Sequence, residues 1–211
     1  VAGDTRFDRV YEIAQQAKRL PEIERFAADA PVFIAGSTWP PDEELLVGLI
    51  ERYPDVKFIV APHEIDPARI EKFCERISRP ALRYTQLTPQ SDLAAAGVLF
   101  VDTIGILSSV YRYGRWGYIG GGFGAGIHNT LEAATFGLPL AFGPRYGKFR
   151  EARDLVTLRG AASIASAEEL ERWFAGLHDD PDATGRSGTI CKEYVLQHKG
   201  ATARIMDEIC R

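Results

Sequence analysis

Trp116-Gly117-Tyr118-Ile119-Gly120-Gly121-Gly122-Phe123-Gly124-Ala125-Gly126-Ile127-His128-Asn129-Thr130-Leu131-Glu132-Ala133-Ala134 decides the reading of this chain. An apolar run reads as a strand and enters five glycines within seven residues. A helical pattern is expected from His128 to Phe136, with Glu132 in its first turn. A strand that ends in glycines and feeds a helix start is how α/β proteins hold phosphate. Glycine lets backbone come close, and the first N–H groups of a helix point at the anion. Glu132 lies three residues after Asn129, on the same helix face, where a carboxylate suits a sugar diol. A Gly-rich turn with only a structural role is the alternative reading of this segment.

Outward from this stretch, strand and helix signals alternate. Strands are expected at 31–35, 56–61, 82–85 (weaker), 97–101, 116–119, 138–142 and 161–164. Helices are expected from Pro40, over 66–78, 103–113, 128–136, 146–158 and 168–177, and from Thr189 to Cys210. Near-continuous apolar strands alternating with helices predict an α/β, Rossmann-like parallel sheet with helices on both faces. Ligands bind such sheets at the carboxyl ends of the strands, near a switch in strand order. Three segments fall there: Gly36-Ser37-Thr38, Asp102-Thr103-Ile104-Gly105, and the glycine cluster with His128-Asn129. The expected organisation is a joint and packing helix over 1–30, a nucleotide-binding domain over 31–188 and a closing helix over 189–211.

Composition narrows the function classes. The 211 residues are 45% hydrophobic and 26% charged, with a formal net charge of -4. Bulk affinity for nucleic acid is not expected. No apolar run approaches the ~20 residues of a membrane helix. Cys74, Cys191 and Cys210 form no metal motif, and a reducing compartment is the simplest setting. No metal and no cofactor are expected. The opening residues lack an initiator Met, so the sequence reads as a piece of a longer protein.

Several residues carry two readings each. Ser37 and Thr38 cap a helix or donate to a phosphate. His128 is a general acid or base, or a cap. Asn129 caps the helix or contacts a phosphate or ribose. His63 ends the second strand at the ligand edge, whereas His178 and His198 read as solvated. Arg145, Lys148, Arg150 and Arg153 form a solvated face or an anion contact.

Gly120 to Gly122, Gly126, His128-Asn129, Leu131-Glu132, Ala134, Gly137-Leu138-Pro139, Phe142-Gly143-Pro144 and Phe149-Arg150-Glu151-Ala152 together resemble the 3-deoxy-D-manno-octulosonic acid (Kdo) transferases of Gram-negative bacteria. Val1 to Val10, Ala35-Gly36-Ser37-Thr38 and Val101 to Gly105 extend the resemblance, in order, over nearly the whole chain. His63 stands where the family usually has Arg, and Ile106 where it usually has Glu. The resemblance implies the C-terminal half of a two-domain GT-B glycosyltransferase, which binds the donor CMP-Kdo. It implies that Ser37, Thr38 and Asn129 contact the CMP phosphate, that Glu132 holds the ribose, and that His63, Asp102, Thr103 and Gly105 line the cytosine or phosphate side. Gly121, Gly122, Gly126 and His128 complete the expected site. The lipid A precursor, the membrane anchor and the catalytic base are implied to belong to another domain. The whole enzyme would work at the cytoplasmic face of the inner membrane, and this half would be soluble and inactive alone. Other GT-B glycosyltransferases or epimerases using UDP or GDP, and a non-catalytic nucleotide-binding module, remain the alternatives.

Overall fold

A computed structural model describes residues 3–28 and 30–209. Val1, Ala2, Asp29, Cys210 and Arg211 lie outside the described residues, and with them one cysteine and the far ends of the two outer segments. Among the described residues, seven strands form one sheet: β1 (Val32–Thr38), β2 (Lys57–Pro62), β3 (Ala81–Arg83), β4 (Val98–Phe100), β5 (Trp116–Ile119), β6 (Leu140–Phe142) and β7 (Ala161–Ser163). All neighbouring pairs are parallel, in the order β3-β4-β2-β1-β5-β6-β7. The helices are α1 (Thr5–Gln15), α2 (Pro21–Ala27), α3 (Pro40–Arg52), α4 (Pro67–Cys74), α5 (Leu107–Val110), α6 (Leu131–Ala134), α7 (Arg150–Leu158), α8 (Ala167–His178), α9 (Pro181–His198) and α10 (Ala201–Ile209).

The strands are apolar on both faces because both are covered. Alternate residues of β1 enter different cores. Val32 and Ile34 pack with α1, α2, α6, α7 and α9 through Phe7, Ile23, Phe26, Leu131, Leu155 and Val195. Phe33 and Ala35 pack with α3, α4 and α8 through Leu46, Ile50, Phe73 and Phe174.

Glycine in the left-handed region sets the element ends the sequence reading misplaced. The helix expected from Thr103 begins only at Leu107, because Gly105 has φ +86°. The helix expected over 128–136 shrinks to Leu131–Ala134, since an extended loop runs through His128 and Gly137 ends the turn at φ +77°. The single closing helix expected from Thr189 is two helices, divided at Gly200 with φ +102°. A division at 188/189 falls inside α9, and the N-terminal segment holds two helices rather than one. Pro139 precedes β6 and so avoids mid-sheet.

The order of the strands fixes where a ligand fits. From β1 the chain moves outward to β2 on one side, and β5 returns to the other flank of β1. The crevice between the carboxyl ends of β1 and β5 is therefore the switch point. Ser37 to Trp39 form one lip and Gly120 to Gly126 the other.

Candidate functional site

The two lips meet backbone to backbone. The Gly120 N–H donates to the Gly36 carbonyl at 2.9 Å. A Cβ on Gly120 would stand 2.2 Å from the Ser37 carbonyl oxygen. Gly36 is equally constrained, since its Cβ would sit on the Tyr111 hydroxyl oxygen. Ser37 itself adopts φ +55°, at an irregularity in the β1–β2 register between Gly36 and Thr38. A non-glycine residue held there is strained, and such strain clusters at ligand sites.

Asp42 ties the lips together. Its buried carboxylate accepts from the Trp39 N–H at 2.9 Å, the Tyr118 hydroxyl at 2.7 Å and the Gly121 N–H at 2.9 Å. The amide of Gly121, one of the expected site residues, is thus turned inward. The amides of Gly124 and Gly126 are also spent, both on the Gly121 carbonyl, and that of His128 on the Gly120 carbonyl. The cluster is a folded loop, not an open cradle. Arg145 and Lys148 brace it from outside by donating to the carbonyls of Gly124 and Ala125.

Past the loop, donors remain. Asn129 is exposed; its Oδ1 accepts from the Leu131 N–H at 3.1 Å and its Nδ2 donates to Glu132 Oε1 at 3.0 Å. Among the described residues, no acceptor meets the N–H groups of Thr130, Glu132 and Ala133, and the buried Thr130 hydroxyl also lacks a partner. A helix as short as α6 contributes little macrodipole, so these individual N–H groups supply the local positive potential. Asn129 and Glu132 are brought together as the sequence reading expected.

Three aromatic rings cover the crevice. His63, reached directly from β2, stacks on His128 with centroids 4.2 Å apart and on Trp39 at 4.8 Å. Trp39 Nε1–H donates to His128 Nε2 at 3.1 Å. Burial pushes the His128 imidazole below its ordinary pKa, His63 pushes it the same way, and Asp42 opposes both. Trp39, Gly121, Gly124, Ala125, Gly126 and His128 line a small, mostly apolar cavity of about 260 Å³. Sequence reasoning missed Trp39 and Asp42, which look like an ordinary helix entry; only their distant partners show otherwise.

Two expected contacts do not form a ligand surface. Thr38 is fully buried, and its hydroxyl donates to Glu43 Oε1 at 3.0 Å. Burial raises the Glu43 carboxyl, against Arg69 and Thr38, which hold it down. Neither Ser37 nor Thr38 caps α3; that position belongs to Trp39, with Asp42 bonding its N–H. Asp102 is buried and accepts from the Thr85 N–H, the Thr85 hydroxyl and Arg83 Nε. Burial alone would raise its pKa, but Thr85 and Arg83 outweigh burial and leave it low. Thr103 and Gly105 follow in the loop after β4, beyond β2 from the crevice. His178 is not simply solvated either, since it bonds Asp55 and Asp179.

No family model matches the chain. Similarity to individual proteins is extensive. A 3-deoxy-D-manno-octulosonic acid transferase of Rickettsia bellii is 29% identical over 198 residues, covering 90% of this chain and 46% of the relative. Those of Rickettsia prowazekii and Chlamydophila psittaci are 30% and 25% identical, over 80% and 85% of this chain. The chain is a homologue of the Kdo transferases. This homologue spans less than half the length of those relatives. Among solved structures, the C-terminal CMP-Kdo binding domain of WaaA from Acinetobacter baumannii superposes with a TM-score of 0.71 at 22% identity, covering 90% of this chain and 98% of that one. The C-terminal domain of the LpcC glycosyltransferase from Francisella tularensis gives 0.57 at 14% identity. The fold is that of GT-B glycosyltransferase C-terminal domains. Among the described residues no helix is long and apolar enough to cross a membrane, and no group of three or more His, Cys, Asp or Glu could hold a metal.

Proposed function

We propose that this chain is the donor-binding half of a glycosyltransferase that transfers Kdo from CMP-Kdo to a lipid A precursor. The observation that carries the reading is the paired Asn129 and Glu132 beside unpartnered N–H groups at the β1–β5 switch point, in a chain homologous to Kdo transferases. In this reading Glu132 accepts from the ribose diol through its second oxygen. The N–H groups of Thr130, Glu132 and Ala133, with Ser37 opposite, receive the phosphate. Cleavage of the sugar–phosphate bond leaves negative charge on CMP, and donors fixed before the reaction stabilise that charge as it develops. The Kdo acceptor, its catalytic base and the contact with the inner membrane belong to the other half of such an enzyme.

Calorimetry with CMP, cytidine and UDP tests the proposal. CMP should bind clearly better than cytidine, because only CMP carries the anion, and better than UDP. Equal affinity for CMP and cytidine would remove the phosphate from this crevice, and a preference for UDP would assign the domain to a different donor. Incubation with CMP-Kdo and lipid acceptor should give no transfer by these residues alone; sustained turnover would show that the base lies within them.

A further inference from the structure

Trp39 and His128 lie on the same face of His63, because both rings stack on it while standing 3.1 Å apart edge to edge. An indole N–H only donates, so His128 Nε2 must accept and cannot carry a proton. The other edge of the imidazole is oriented by a second contact. A Cβ on Gly121 would fall 3.0 Å from His128 Cδ2 and 3.2 Å from Nε2, so that edge faces the glycine loop and the Nδ1 edge faces away. Among the described residues, no acceptor meets Nδ1. We infer that Trp39 is a positioning residue that locks His128 as the neutral Nδ1–H tautomer, a fixed hydrogen-bond donor to an anionic oxygen of the bound nucleotide.

The electrostatics around the ring agree with the geometry. Protonating Nε2 would break the Trp39 bond and place a cation against His63, with the Asp42 carboxylate opposing that cost. A neutral donor suits this place. An imidazolium would bind the departing phosphate more tightly but would titrate in the physiological range. The donor role rests on the proposed nucleotide site; the tautomer does not.

Nitrogen-15 NMR of the histidine side chains, without ligand, reads the tautomer directly. His128 should show a protonated Nδ1 and bare Nε2 at pH 7.5. Trp39→Phe keeps a ring against His63 and removes the indole N–H. It should shift His128 toward the Nε2–H form, raise its pKa and weaken CMP binding roughly 5- to 10-fold, the loss of about one hydrogen bond. His128→Asn, whose amide nitrogen falls near Nδ1, should keep more CMP affinity than His128→Gln, whose amide nitrogen falls near Nε2. An Nε2–H or mixed tautomer in the unmodified protein would overturn the lock, whatever CMP does. A Trp39→Phe protein with altered tautomer and unchanged CMP affinity would overturn the donor role. An intact lock with no CMP binding at all would overturn the nucleotide site, and the donor role with it.

Discussion

Gly120 and Gly105 both follow strands, and a substitution should separate them sharply. Alanine at Gly120 drives its Cβ into the Ser37 carbonyl, backbone that no rotamer change can move. Gly105 has open space around it but φ +86°. Its alanine variant should lose only about 1 kcal/mol through backbone strain, while Gly120→Ala should lose more than about 2 kcal/mol. Urea melts measure both, and similar midpoints would show that the two lips are not in rigid contact. At Glu132 the relevant comparison is binding against folding. Glu132→Ala should weaken CMP binding by roughly 1.5–3 kcal/mol and stability by only ~0.3–1 kcal/mol. An unchanged CMP affinity with a lower melting temperature would make Glu132 a structural residue. The glycine cluster and the Asn129–Glu132 pair were legible because their spacing is local. Trp39 and Asp42 were not, since their decisive partners lie 89 and 79 positions away.

Elements were legible by type and misplaced at their ends. The apolar strands announce themselves because burial on both faces leaves no alternation to confuse them. Helix ends depend on which glycines turn left-handed, and the sequence does not distinguish Gly105 or Gly200 from a glycine that stays helical, such as Gly185 within α9. The C-terminus of α8 carries a pH-dependent tie. His178 bonds Asp179 and Asp55, and Asp179 first, then Asp55, raises its pKa against the cost of burial. A raised folded pKa stabilises below the unfolded value of about 6.5 and loses that contribution as pH climbs through the folded value. His178→Gln should therefore cost ~0.2–1 kcal/mol at pH 5.5 and less at pH 8.5. Denaturant melts at the two pH values check it, and an equal loss at both would reduce His178 to a packing residue.

At the scale of the molecule, the two outer segments belong to the same body as the sheet. Phe26 of α2 is fully buried in the core that holds Ile34, Leu131 and Val195, and Lys57 Nζ stands 4.8 Å over its ring. Phe26→Ala should cost roughly 3–5 kcal/mol and lower the melting temperature of one cooperative transition. Two resolved transitions in calorimetry would instead make the N-terminal segment a separate unit. The sequence reading expected a joint and one packed helix over 1–30; composition does not tell one helix from two, nor show where Phe7, Ile23 and Phe26 go. The Asp42 carboxylate works at this scale too, since its three bonds join the start of α3, the middle of β5 and the glycine loop. Opening the loop would strand a buried carboxylate, so its motions are coupled to unfolding of the α3 entry. The Gly121 amide should then exchange with deuterium as slowly as the central strands, and a nucleotide would meet a loop whose entropy was surrendered at folding rather than at binding.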